Sequence, residues 1–66
     1  MKIKYIRTTT GVFRVGEKSH DDNFIIGRIY FDTDDTWLIL ENESGYTKQV
    51  INCRYVISVI YENEEE

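Results

Sequence analysis

At 66 residues, with 41% apolar and 30% charged side chains, one Cys and no Pro, the chain has room for a single small domain. One Cys excludes an internal disulfide, and one Cys with one His excludes a closed zinc site within the chain. A net charge of −4 argues against a general binder of nucleic-acid backbones, because that affinity comes from Lys and Arg neutralising phosphates.

Read in chain order, the sequence predicts strands almost throughout. The first runs from Lys2 to Thr9, with Ile3 and Tyr5 on one face and Lys2 and Lys4 on the other. Met1 to Tyr5 contains no apolar stretch of the signal-peptide kind, so no leader is expected. Thr9-Thr10-Gly11 reads as a turn, with Gly11 available for positive φ. A second strand, Val12 to Gly16, places Phe13 and Val15 opposite Arg14 and completes a hairpin.

Gly16 to Asn23 is the longest polar segment and reads as a loop. Its Ser19-His20-Asp21-Asp22 run holds the letters of a hydrolase triad. Neighbours in sequence point apart in most loops, however, and a triad needs a fixed hydrogen-bonded order. His20 is therefore read as an exposed loop residue, or as a pH-sensitive contact.

The third strand, Phe24 to Phe31, contains Gly27, which predicts a bulge or a close backbone approach. Asp32-Thr33-Asp34-Asp35 reads as a turn; it lacks the Gly of an EF-hand loop, so no calcium is implied. The fourth strand is apolar on both sides, with Trp37 and Ile39 on one face and Leu38 and Leu40 on the other. Glu43-Ser44-Gly45 turns the chain into Tyr46 to Ile51. After a kink at Asn52-Cys53-Arg54 comes a last strand, Tyr55 to Tyr61. Cys53 reads as a small hydrophobe at a strand junction, with Arg54 beside it to lower its pKa.

This pattern predicts an all-β fold: a five- to six-stranded antiparallel barrel spanning 1–61, with an acidic disordered tail at 62–66. Its expected core is Ile3, Tyr5, Phe13, Val15, Ile25, Ile29, Trp37, Ile39, Val50, Val56 and Ile60. Removing a buried Trp37 side chain would cost roughly 3–5 kcal/mol. A domain of this size buries only about 60% of the surface its unfolded chain exposes, so self-association is expected. No apolar run approaches the ~18 residues of a membrane helix, and a lone Cys fits a reducing compartment. The expected location is the cytoplasm.

Charge is unevenly spread. Residues 1–16 carry Lys2, Lys4, Arg7 and Arg14 and no acid, whereas residues 17–66 carry four basic and twelve acidic side chains. The candidate contact residues are accordingly Lys2, Lys4 and Arg14 of the hairpin, together with Arg28, Tyr30, Arg54 and Tyr55. For a nucleotide-type ligand, Arg54 would pair with phosphate while Tyr55 or Tyr30 stacks on the base. For a protein partner, Asp32, Asp34 and Asp35 form the alternative surface.

Gly27-Arg28-Ile29-Tyr30-Phe31-Asp32, Trp37-Leu38-Ile39-Leu40-Glu41-Asn42 and Arg54-Tyr55-Val56-Ile57-Ser58-Val59-Ile60 resemble the strand motifs of the Sm/Hfq-like small barrels. Similar apolar patterns recur in Src-homology-type barrels. The Sm-like resemblance implies RNA binding and edge-to-edge assembly through the last two strands. Two positions depart from it: residues 1–16 read as a hairpin where that family opens with a helix, and Cys53 stands where its base-stacking tyrosine would be. In size and composition the chain also resembles the small proteins that bacteriophages use against host defences.

Four functions follow in order. The first is a non-enzymatic binding protein, without cofactor or metal, that associates with itself as a dimer or ring. It would occupy a host protein or a nucleotide-type ligand. The others are an Sm-like RNA binder, a purely structural assembly subunit and, last, an enzyme.

Overall fold

The computed structural model describes residues 1–21 and 23–62. Residues 63–66, and with them most of the expected acidic tail, lie outside that range, as does Asp22. Six strands form: β1 (Ile3–Thr8), β2 (Gly11–Arg14), β3 (Ile26–Phe31), β4 (Trp37–Asn42), β5 (Thr47–Asn52) and β6 (Val56–Tyr61). A 3-10 turn, Cys53–Tyr55, joins β5 to β6. The strands make two three-stranded antiparallel sheets, ordered β2-β1-β6 and β3-β4-β5. The chain is all-β, as its alternating pattern predicts, but its ladders do not run around one closed ring. β5 and β6 are both edges.

The two sheets share one apolar cluster: Ile3, Ile6, Phe13, Phe24, Ile26, Ile29, Leu38 and Leu40. They meet along the end of β2 and the start of β3. Gly16 N–H donates to Ile26 O at 2.8 Å, and Ile26 N–H donates to Glu17 O at 3.0 Å. Ser19 N–H also donates to Phe24 O, so both ends of the polar loop are pinned.

Three expected faces are reversed or shifted, two of them by a bulge. On β1, Ile3 pairs with Tyr61 and Tyr5 with Ile60, so Lys4 is an extra residue in the ladder. The bulge places Ile6, three positions after Ile3, in the core with no exposure, and turns Tyr5 outward. On β3, Ile26 pairs with Asn42 and Arg28 with Glu41, leaving Gly27 extra. Ile26 and Ile29 are therefore both buried, and Ile25, expected inside, is exposed. On β4 both faces are apolar, so alternation alone leaves the choice open. Leu38 and Leu40 are fully buried, whereas Trp37 is 41% exposed and Val50 of β5 is 48% exposed. Ile39 lies half-buried between Tyr30 and Val50 on the outer face.

Each junction is held by a short polar side chain. Asp32 Oδ1 accepts from the N–H groups of Thr36 and Trp37 at 3.0 and 3.2 Å. Asn42 Oδ1 accepts from Ser44 and Tyr46. Asn52 Oδ1 accepts from Arg54 N–H at 2.9 Å and starts the 3-10 turn. Thr8 Oγ1 does the same work in the first hairpin, accepting from Thr10 N–H and donating to Gly11 O. These side chains substitute for backbone partners where the ladders stop.

Two outcomes check this packing. A Cβ at Gly27 would lie 2.6 Å from Asn42 O, so Gly27→Ala should cost about 1–3 kcal/mol in denaturant unfolding. Leu38→Ala should cost about 2–5 kcal/mol, and Trp37→Ala less than half as much; equal losses would contradict the observed face of β4.

Candidate functional site

The candidate residues do not assemble in one place; the fold distributes them over three. The first is a groove of about 530 Å³ between β5, the 3-10 turn and the tip of the β1–β2 hairpin. Trp37, Val50, Arg54 and Tyr55 line it from β4, β5 and the 3-10 turn, and Thr8 to Thr10 line it from the hairpin. Tyr55 is half exposed, and its carbonyl accepts from Thr9 N–H at 3.0 Å, which ties the turn to the hairpin. Gln49 and Asp21 close one end, with Gln49 Nε2 donating to Asp21 Oδ2 at 3.2 Å.

Arg54 lies with its guanidinium carbon 5.9 Å from the Tyr55 ring centre, at the limit of a cation–π contact. The carboxylate contacts of basic side chains among the described residues are Arg14–Glu17, His20–Asp21 and Arg28–Glu41. Arg54 is in none of them. Its charge and the outer parts of Trp37 and Tyr55 are thus available to a second molecule.

The second place is a recess at the opposite end of β1, of about 440 Å³, where Lys2, Arg28 and Tyr30 meet Glu62. Here the candidate groups already satisfy one another. The Arg28 guanidinium sits 4.1 Å above the Tyr30 ring, and Tyr30 Oη donates to Glu41 Oε2 at 2.6 Å. Glu41 Oε1 also lies 3.6 Å from Arg28 Nε. Stacking a base on this face of Tyr30 would first require Arg28 to leave. Glu41, opposite Arg28 in the ladder, is the residue that sequence reading missed. Cross-strand register, unknown from sequence alone, is what brings the two together.

The third place is the outer face of the first sheet. Arg14 lies 4.1 Å above the Tyr5 ring and 3.8 Å from Glu17, and Lys4 is exposed at the bulge. In the acidic turn, Asp34 and Asp35 are exposed, while the Asp32 carboxylate is engaged in holding Thr36 and Trp37.

The chemistry of Cys53 differs from the expectation that Arg54 lowers its pKa. Burial pushes the thiol up, and the carboxylates of Asp32 and Asp35 push in the same direction. The field near the β3–β4 turn is therefore negative. Ser19 is buried; its Oγ accepts from Asp21 N–H and lies 3.5 Å from Gln49 Oε1, with no bond to His20. His20 instead bonds Asp21 through Nδ1 at 2.9 Å and lays its ring on Phe13, centroids 4.6 Å apart. Among the described residues no cluster of three or more His, Cys, Asp or Glu is placed to hold a metal ion. No described helix is long and apolar enough to cross a membrane.

Comparisons with protein-family models, with curated proteins and with solved structures return no match.

Thiol titration checks the electrostatics. Cys53 should alkylate slowly near neutral pH, with a midpoint above that of an ordinary thiol. Asp35→Asn, which suits the left-handed backbone at this position (φ 59°), should move the midpoint down.

Proposed function

We propose that this protein is a non-enzymatic binding module. Its two sheets curl as a small barrel of the Sm-like or Src-homology type, and it acts by occupying a partner in the cytoplasm. The observation that carries the reading is the groove: exposed Trp37 and Tyr55 flank an arginine with no carboxylate partner among the described residues. Trp, Tyr and Arg are the side chains in which binding energy most often concentrates. A planar anionic ligand of nucleotide type would stack on the aromatic wall and bond Arg54. A protein partner would instead contact the exposed acids of the β3–β4 turn. Occupying a host component in this way is how small bacteriophage anti-defence proteins act, and size and composition support that analogy alone. Self-association accompanies the function, because β5 and β6 expose unpaired edges on a very small core.

Sm-like RNA binding is the alternative reading. Against it stands the placement of Cys53 beside acidic groups, where that resemblance calls for a base-stacking tyrosine.

The test is capture of tagged full-length protein from its native host, read for proteins and for small ligands, and repeated with Arg54→Glu and Asp34→Lys. A nucleotide-type ligand should be lost about tenfold or more with Arg54→Glu and retained with Asp34→Lys. A basic protein partner should show the reverse, with an association rate that falls steeply as salt rises. Capture unaffected by either change would remove the groove and the turn as contact surfaces.

A further inference from the structure

Of the edge strands β5 and β6, β6 is the less protected. Val56 to Tyr61 contains no charged residue and no Pro, the two devices that ordinarily keep an edge strand from pairing. Its backbone directions follow from bonds at its ends. Glu62 N–H donates to Lys2 O at 2.7 Å, so the peptide groups of Glu62 face β1. Counting back by twos, Ile60 and Ser58 also face β1, and Tyr61 and Val59 turn theirs to the open side. The one irregularity on β6, an extra residue at Ile57, lies before this stretch.

We infer that β6 is a self-pairing edge: two copies of the chain join by antiparallel β6–β6 addition around a two-fold axis at Ile60. The register follows from the backbone directions. With Ile60 opposite Ile60 of the second copy, Val59 of each chain faces Tyr61 of the other, and all four outward N–H groups and carbonyls of these residues find partners. One face of the joined strands then carries Ile60 against its own copy at the centre. On either side Ser58 stands opposite Glu62 of the second copy, at the spacing where cross-strand side chains interact. Ser58 Oγ has no hydrogen-bond partner among the described residues, and it lies on the strand face that Glu62 of the second copy would join. The antiparallel arrangement also places the Glu62 side chains of the two copies at opposite ends, apart from each other. Joining the two β6 edges makes a continuous six-stranded sheet, β2-β1-β6-β6-β1-β2, and leaves the groove beside Trp37 open.

This inference rests on the self-association part of the proposed function and is independent of what the groove holds. Sedimentation equilibrium of the full chain at tens of micromolar (roughly where weak dimers form) should give twice the 7.9 kDa chain mass. Tyr61→Pro removes an outward N–H, with the phenol, and no bond to β1, and Ile60→Lys places like charges across the axis. Both should halve the mass while the far-ultraviolet dichroism stays unchanged. Amide exchange on the unmodified chain serves if either variant fails to fold. Val59 and Tyr61 amides should gain about tenfold protection between dilute and concentrated samples, with Val50 on β5 unchanged. A monomer at these concentrations overturns the inference. So does a dimer that persists in both folded variants, or concentration-independent exchange at Val59 and Tyr61. Mass beyond two copies with protection gained at Val50 would overturn it too, in favour of β5–β6 ring assembly. Loss of the dimer interface with ligand capture intact would separate this surface from the groove.

Discussion

The close approach of Gly27 to the backbone of Asn42 governs much of this fold. A single extra residue in a strand reverses the inside and outside of everything beyond it. At Gly27 the reversal lets Ile26 and Ile29, three positions apart, both reach the core. Without it, a strictly alternating β3 that buried Ile26 would carry the charged Arg28 inward. Instead Arg28 emerges beside Glu41, on the face where Tyr30 can receive it. Lys4 performs the matching service on β1, releasing Tyr5 to the surface and admitting Ile6. The core of eight buried apolar residues depends on one such break in β1 and one in β3.

A core this small leaves little surplus stability, so the turns matter more than they would in a larger domain. Asp32, Asn42 and Asn52 recur at the ends of successive strands, and each satisfies backbone N–H groups that the ladders cannot reach. The same economy explains why an acid-rich turn need not signal a metal or a partner. Asp32 is occupied by its own chain, and its charge adds to burial in raising the pKa of the Cys53 thiol.

Strand identity was legible in the sequence because turn residues mark every boundary: Thr-Thr-Gly, Asp-Thr-Asp-Asp, Glu-Ser-Gly and Asn-Cys-Arg. Facing was legible only where one side of a strand is polar. Phe13 against Arg14 gave the right answer; Trp37-Leu38-Ile39-Leu40 carries no polar marker and was read the wrong way round. Gly27 announced its bulge by being a glycine, whereas Lys4 carried no such sign, and Tyr5 was misplaced with it. The site divides in the same manner. Arg54 and Tyr55 are neighbours in sequence and remain together, but Trp37 joins them only through β4–β5 register, and Glu41 meets Arg28 only through β3–β4 register. Pairings between strands are set by geometry that a single sequence does not spell out.

The misreading of Trp37 has a physical consequence for function. In the core, its indole would have been structural mass. On the outer face it stands opposite Asn52, at the start of the turn that presents Arg54 and Tyr55. A small domain that leaves a tryptophan 41% exposed forgoes burial it can ill spare. Leu38 and Leu40 fill the interior without it, because alternation along β4 puts position 37 on the face opposite theirs. The tryptophan therefore lines the groove. There it joins Val50 and Tyr55 in the apolar surface on which the binding reading rests.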